Sequence, residues 1–315
     1  MPYWMIPLAV LLIIAAFTLA VAAICFFKIF YSPKSRRKQT KEYPTPEGKT
    51  YDPHREQIIK WIKEVRAMEH TDVSVLSFDG LKLCGKYYEQ KKGAPIEILF
   101  HGYKGTGERD MCGGVYRCFE LGRNALIVDQ RASGSSEGRV ITFGAKESRD
   151  CLTWIDFVIN NIDKDAKIII TGISMGAATV MMAASMGLPP NVIGVLADCG
   201  YTSTKDIIKK VTKDMKLPQN LLYPFVKLGA KLFGGFDPDA NSPIISMSKC
   251  RLPIIFFHGD ADDYVPCYMS EENYKACASE HKRLVITPDA GHGLCFPVDM
   301  KAYFAELYDF FTPHL

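Results

Sequence analysis

The sequence predicts an α/β fold, with a mostly parallel sheet covered by helices on both faces, a short helical lid, and one apolar helix ahead of the domain. Three observations carry this. From Ile96 onward, short β-branched runs alternate with longer segments of helical spacing. Lys167–Ala178 reads as a buried strand that stops at a glycine-flanked serine and continues into small, helix-compatible residues. From Trp4 to Phe27 the chain is almost entirely apolar and has no charge, over roughly the twenty residues that cross a bilayer as a helix.

With 315 residues, 48% of them apolar and 23% charged, the chain is long enough for one α/β domain plus an appendage. Its net charge of +3 gives no argument for a nucleic-acid partner. The ten cysteines are scattered singly, with no Cys-x-x-Cys pair to suggest zinc or a redox motif. They read as reduced core thiols, although an even number leaves disulfides open.

Residues 1–31 are read as a transmembrane anchor. A cleaved signal peptide is the competing reading, but the apolar run exceeds the usual h-region of about 7–15 residues and no Lys or Arg precedes it. The basic residues follow instead: Lys28, Lys34, Arg36, Arg37, Lys38 and Lys41. By the positive-inside rule that flank stays in the cytoplasm, which gives a single-pass cell-membrane protein with its main domain on the cytoplasmic side. Residues 32–53, basic and proline-containing, read as a linker, and 54–315 as the α/β domain.

Ile58, Ile62, Val65 and Met68 lie near helical spacing, so one amphipathic helix is expected to pack against that domain. Asp72–Phe78 and Leu81–Tyr88, separated by Asp79-Gly80, predict a hairpin. Strands are expected near Ile96–Phe100, Ala125–Val128, Lys167–Thr171, Val192–Ala197, Pro253–Phe257 and Leu284–Thr287. Helices are expected over Glu108–Leu121, Lys146–Asn160, Met175–Met186, Ser270–Ser279 and Asp299–Phe311. Asp206–Met215 and Leu221–Phe233 break the alternation, and they are read as a lid inserted at about 203–250, with two ordinary surface helices as the alternative.

Gly172 and Gly176 leave space on either side of Ser174, so its hydroxyl can stand on a tight turn at the strand end. A serine needs a base to remove its proton, and the base needs an acid to hold it. Two later loops offer them: His258-Gly259-Asp260-Ala261-Asp262-Asp263 after one strand, and Asp289-Ala290-Gly291-His292-Gly293 after the last.

With these residues in place, the chain resembles the α/β-hydrolase superfamily, of the serine esterase and serine-aminopeptidase-like type. The likeness runs from about Phe78 to the C-terminus and also takes in His101-Gly102-Tyr103 and Asp129–Gly138. It implies Ser174 as nucleophile, His292 as general base and acid, and Asp262 as the orienting carboxylate, in the family's chain order. In the family's spacing only Asp262 occupies the acid position; Asp260 and Asp263 are read as turn residues, and Asp198 as a substitute acid. The backbone N–H of Met175 is expected as one oxyanion donor, at a helix N-terminus, and the resemblance adds that of Tyr103. His101 and His258 are expected to bond loop backbone beneath the site.

The expected activity is hydrolysis of a small-molecule or lipid ester through an acyl-enzyme, with no metal or organic cofactor called for. A peptidase or amidase on the same triad stays open, as does a non-catalytic hydrolase-fold binding or scaffold protein.

Overall fold

The computed structural model describes residues 5–37 and 41–315; Trp4, which begins the apolar run, and Lys38 of the basic flank lie outside them. Strands β1 (Thr71–Leu76) and β2 (Lys82–Tyr88) form the expected antiparallel hairpin. β2 pairs antiparallel with β4 (Asn124–Val128). Beyond it, β3 (Ile96–Phe100), β5 (Ile168–Ile173), β6 (Val192–Asp198), β7 (Ile254–Gly259) and β8 (Lys282–Thr287) run parallel. The eight-stranded order is β1-β2-β4-β3-β5-β6-β7-β8. Every residue of β3, β4 and β7 is buried, which is why these strands read as largely apolar; the buried Glu97 in β3 is paired with Arg117 and Arg123.

Helix α1 spans Met5–Ile29 and α2 spans Arg55–Ala67. α2 buries Trp61, Ile62 and Val65 against the helix Gly107–Glu120. The crossovers are α3 (Gly107–Glu120), α4 (Glu147–Phe157) and α5 (Met175–Ala183). The segment read as a lid forms α6 (Thr204–Asp214) and α7 (Gln219–Gly234), followed by the short α8 (Pro243–Met247). Then come α9 (Tyr268–Ala276), α10 (Cys295–Val298) and α11 (Met300–Phe311). The short α8 and α10 lie below the length at which periodicity is visible. All ten cysteines are free thiols.

α1 is long and apolar enough to span a bilayer. Met5–Phe17 is exposed along its whole length, whereas Ala22 and Phe26 are buried against α7. A methyl group at Gly229 of α7 would collide with the Ala22 carbonyl, so the small residue sets the close approach. Phe26 packs on Phe233, and Phe30 packs edge-on against Phe143 and Phe236. The chain then pairs Tyr31 with Val140, and the Arg37 guanidinium donates to the carbonyls of Ser32, Ser136 and Gly138. The stretch read as a linker is therefore knitted to the domain.

Candidate active site

β5 ends where its neighbours crowd the backbone. A methyl at Gly176 would strike the Phe100 carbonyl, and one at Gly172 would strike the Gly176 backbone. The two glycines let strand and helix close to a tight turn, and Ser174 sits between them at φ +56°, a strained conformation for a residue with a side chain. Its N–H donates to the Asp198 carbonyl at 2.8 Å, and α5 begins at the next residue.

The loop after β8 brings His292 to this serine. The Ser174 hydroxyl lies 2.9 Å from His292 Nε2, and His292 Nδ1 lies 2.7 Å from Asp262 Oδ2. Because a carboxylate only accepts, Nδ1 carries the proton and Nε2 faces the hydroxyl as an acceptor. The second Asp262 oxygen accepts from the N–H groups of Tyr264 and Val265 at 2.9 and 2.8 Å. Burial pushes this carboxyl up, but hydrogen bonds from His258 and His292 outweigh it and hold it below the usual carboxylate range.

The neighbouring acids have other partners. Asp260 accepts from the Asp289 N–H at 2.7 Å, and the side chain of Asp263 is exposed. Asp198 accepts from the Tyr303 hydroxyl at 3.1 Å and makes no bond to His292; burial pushes its carboxyl up.

Both other strand-end histidines bond backbone. His101 Nε2 accepts from the Gln130 N–H at 2.9 Å, so Nδ1 donates to the Gly102 carbonyl at 2.7 Å. His258 Nε2 donates to the Val265 carbonyl at 2.8 Å and lies 3.2 Å from Asp262, while Nδ1 accepts from Ser270 at 2.6 Å. Cys199, Asp262 and His292 offer possible metal-ligand atoms within 4.8 Å of one another. Two of the three are already bonded together, and burial pushes the Cys199 thiol well up, so the trio is poorly disposed to bind an ion.

Met175 N–H stands at the N-terminus of α5, where the helix dipole favours negative charge. Opposite it lies the His101-Gly102-Tyr103 loop, held by Asp110, whose Oδ2 accepts from the Gly102 N–H at 3.0 Å. Arg109 clamps the same carboxylate at 2.5 and 3.1 Å. The Tyr103 hydroxyl donates at 2.6 Å to the carbonyl of Ile29, at the end of α1.

Ser174, His292 and Tyr103 open into a cleft of about 640 Å³. Its walls include Trp61, Tyr264 and Phe296, together with Pro46–Tyr51 from the stretch read as a linker. No residue of α6 or α7 lines it. The Tyr51 hydroxyl donates to the His292 carbonyl at 2.9 Å. Tyr51 and Asp110 carry no sequence signal, since one follows a proline-rich segment and the other starts an ordinary helix.

No protein-family model matches the chain. The Bacillus subtilis protein YqkD is 27% identical over 192 residues, which cover 61% of this chain and 63% of YqkD, less than two thirds of that relative's length. The esterase Pf2001 from Pyrococcus furiosus superposes with a TM-score of 0.66 at 22% identity, covering 80% of this chain and 95% of that one. The α/β-hydrolase GrgF from Penicillium superposes with a TM-score of 0.60 at 18% identity, covering 78% and 99%. The chain has the α/β-hydrolase fold. Within it, Ser174, Asp262 and His292 stand after β5, β7 and β8, at the carboxyl edge of the parallel sheet where such folds place their ligands.

Proposed function

We propose that the protein is a membrane-anchored serine hydrolase that cleaves a carboxylic ester through an acyl-enzyme on Ser174. The observation that carries this reading is the continuous relay from Ser174 Oγ to His292 to Asp262, at 2.9 and 2.7 Å. His292 Nε2 takes the hydroxyl proton as Oγ attacks the ester carbonyl, and the doubly protonated ring is balanced by the Asp262 carboxylate. The N–H groups of Met175 and Tyr103 receive the charge that develops on the carbonyl oxygen. His292 then gives its proton to the leaving alkoxide, and water repeats the sequence to release the acid. The likeness to an esterase of the same fold supports an ester over a peptide.

α1 serves as the anchor in this reading, and the basic residues after it support a domain on the cytoplasmic side. Protease added to intact cells is then expected to spare the domain until the cells are lysed.

A fluorophosphonate probe tests the chemistry. The wild-type chain is expected to be labelled on Ser174 and to hydrolyse nitrophenyl esters faster than aminoacyl or peptide substrates, and Ser174→Ala to do neither. An unlabelled wild-type protein, or labelling that survives Ser174→Ala, would reject the reading.

A further inference from the structure

The apolar stripe of α7 lies outside the cleft, with its two ends exposed and Phe225 and Leu228 between them half-buried. Leu221, Phe225, Leu228 and Leu232 recur at helical spacing. Leu221 and Leu232 are 65% and 54% exposed, and none of the four lines the cleft. The two cations of α7 are neutralised, Lys227 by Asp239 at 2.7 Å and Lys231 by Asp237 at 2.7 Å. At the turn before α7, Met215 and Leu217 are 65% and 45% exposed, beside the exposed Lys213 and Lys216.

The packing of α1 says what covers this face. The wholly exposed part, Met5–Phe17, rises about 20 Å at about 1.5 Å per residue, short of a hydrocarbon core of about 30 Å. The missing length lies in the next turns, where Ala22 and Phe26 are packed on α7, and charge begins only at Lys28. α7 therefore sits at the level where the hydrocarbon gives way to headgroups. An amphipathic helix at that boundary sinks its apolar face by about 5–10 Å and keeps its lysines among the phosphates.

We propose that α7 is a second membrane-contacting element, lying in the interface of the bilayer that α1 spans, with Leu221, Phe225 and Leu232 toward the acyl chains and Lys213 and Lys216 against anionic headgroups. This rests on the reading of α1 as an anchor. It deepens the functional reading as well: Tyr103, tied to Ile29, holds the mouth of the cleft at the headgroup level, where the ester of a membrane-resident amphiphile lies.

The test uses the full chain in liposomes of phosphatidylcholine and phosphatidylglycerol, with and without dibrominated acyl chains. Emission added by Leu221→Trp and Leu232→Trp is measured over the wild type, with Phe17→Trp on α1 and Leu76→Trp on β1 as references; both sites are exposed. Brominated lipid is expected to quench the two α7 reporters and Phe17→Trp at least twofold and to spare Leu76→Trp. If Phe17→Trp is quenched while the α7 reporters behave like Leu76→Trp, the docking is overturned and the anchor survives. If Phe17→Trp is itself unquenched, the anchor reading falls and takes the docking with it. Fluorophosphonate labelling of the same liposomes reports separately on the Ser174 chemistry.

Discussion

The Tyr51 hydroxyl, more than two hundred residues away in sequence, donates at 2.9 Å to the backbone carbonyl of His292. It fixes the loop that presents the imidazole to Ser174. Tyr51→Phe removes a bond worth about 1 kcal/mol and leaves the ring in place. The expected result is a fall in kcat of about fivefold to tenfold with KM nearly constant and little change in Tm. An unchanged kcat would reduce the contact to packing.

Asp262 and Asp198 are the two acids from which a triad carboxylate can be drawn, and only Asp262 touches His292. Asp262→Asn is expected to cost about 10⁴-fold in kcat, the scale seen when a triad loses the acceptor that fixes its tautomer. Asp198→Asn is expected to stay within about threefold. Since burial disfavours the Asp198 carboxylate, the amide should also leave Tm at neutral pH unchanged or raised. The reverse pattern of activities would assign the acid to Asp198.

Asp110 holds the backbone of Gly102, so its loss should misplace the Tyr103 N–H that is proposed as an oxyanion donor. Asp110→Ala is expected to lower kcat by roughly tenfold to a hundredfold and to spare fluorophosphonate binding affinity more than turnover. Equal losses in both, together with a large drop in Tm, would point to a collapsed loop.

The Asp129–Gly138 segment gains a structural role through Arg131, which bridges Asp79 in the hairpin turn and Asp150 on α4. Burial raises the Asp79 carboxyl, but bonds from Arg131 and Ser77 prevail and bring it down to about 2. A depressed carboxylate contributes stability that is present above its unfolded pKa, near 4, and is lost as pH falls through its folded value. Asp79→Asn should therefore lower stability by about 1 kcal/mol at pH 7, a figure that allows for solvent screening. Denaturant curves are expected to converge with the wild type between about pH 4 and about pH 2. A deficit constant with pH would mean that shape, not charge, matters at this turn.

The alternating strands and helices were legible because the buried strands are short apolar runs such as Ile168–Ile173 and helices such as Gly107–Glu120 display a period, whereas Met175–Ala183, buried on every side, was marked only by the turn before it. Ser174 and His292 were legible because a tight turn and a small-residue loop leave local marks. Tyr51 and Asp110 were not, since each acts across the fold through a single hydrogen bond to backbone. The stripe on α7 was visible as a period, but a period marks an apolar face without saying what covers it. Here it faces outward beside α1, away from the cleft it was read as covering.

The seating of Phe30 between Phe143 and Phe236, with Arg37 bonded to the 132–138 loop and Tyr51 to His292, bears on how this protein can be made soluble. Deleting everything ahead of α2 removes the greasy helix, but it also pulls an aromatic plug, a guanidinium clamp and one wall of the cleft. A chain started there would express as a hydrolase fold with a widened mouth and a loosened histidine loop, and weak turnover in such a preparation would reflect the cut. A start that retains Phe26 onward and replaces the exposed Phe27 with a polar residue keeps all three and sheds most of the exposed apolar helix.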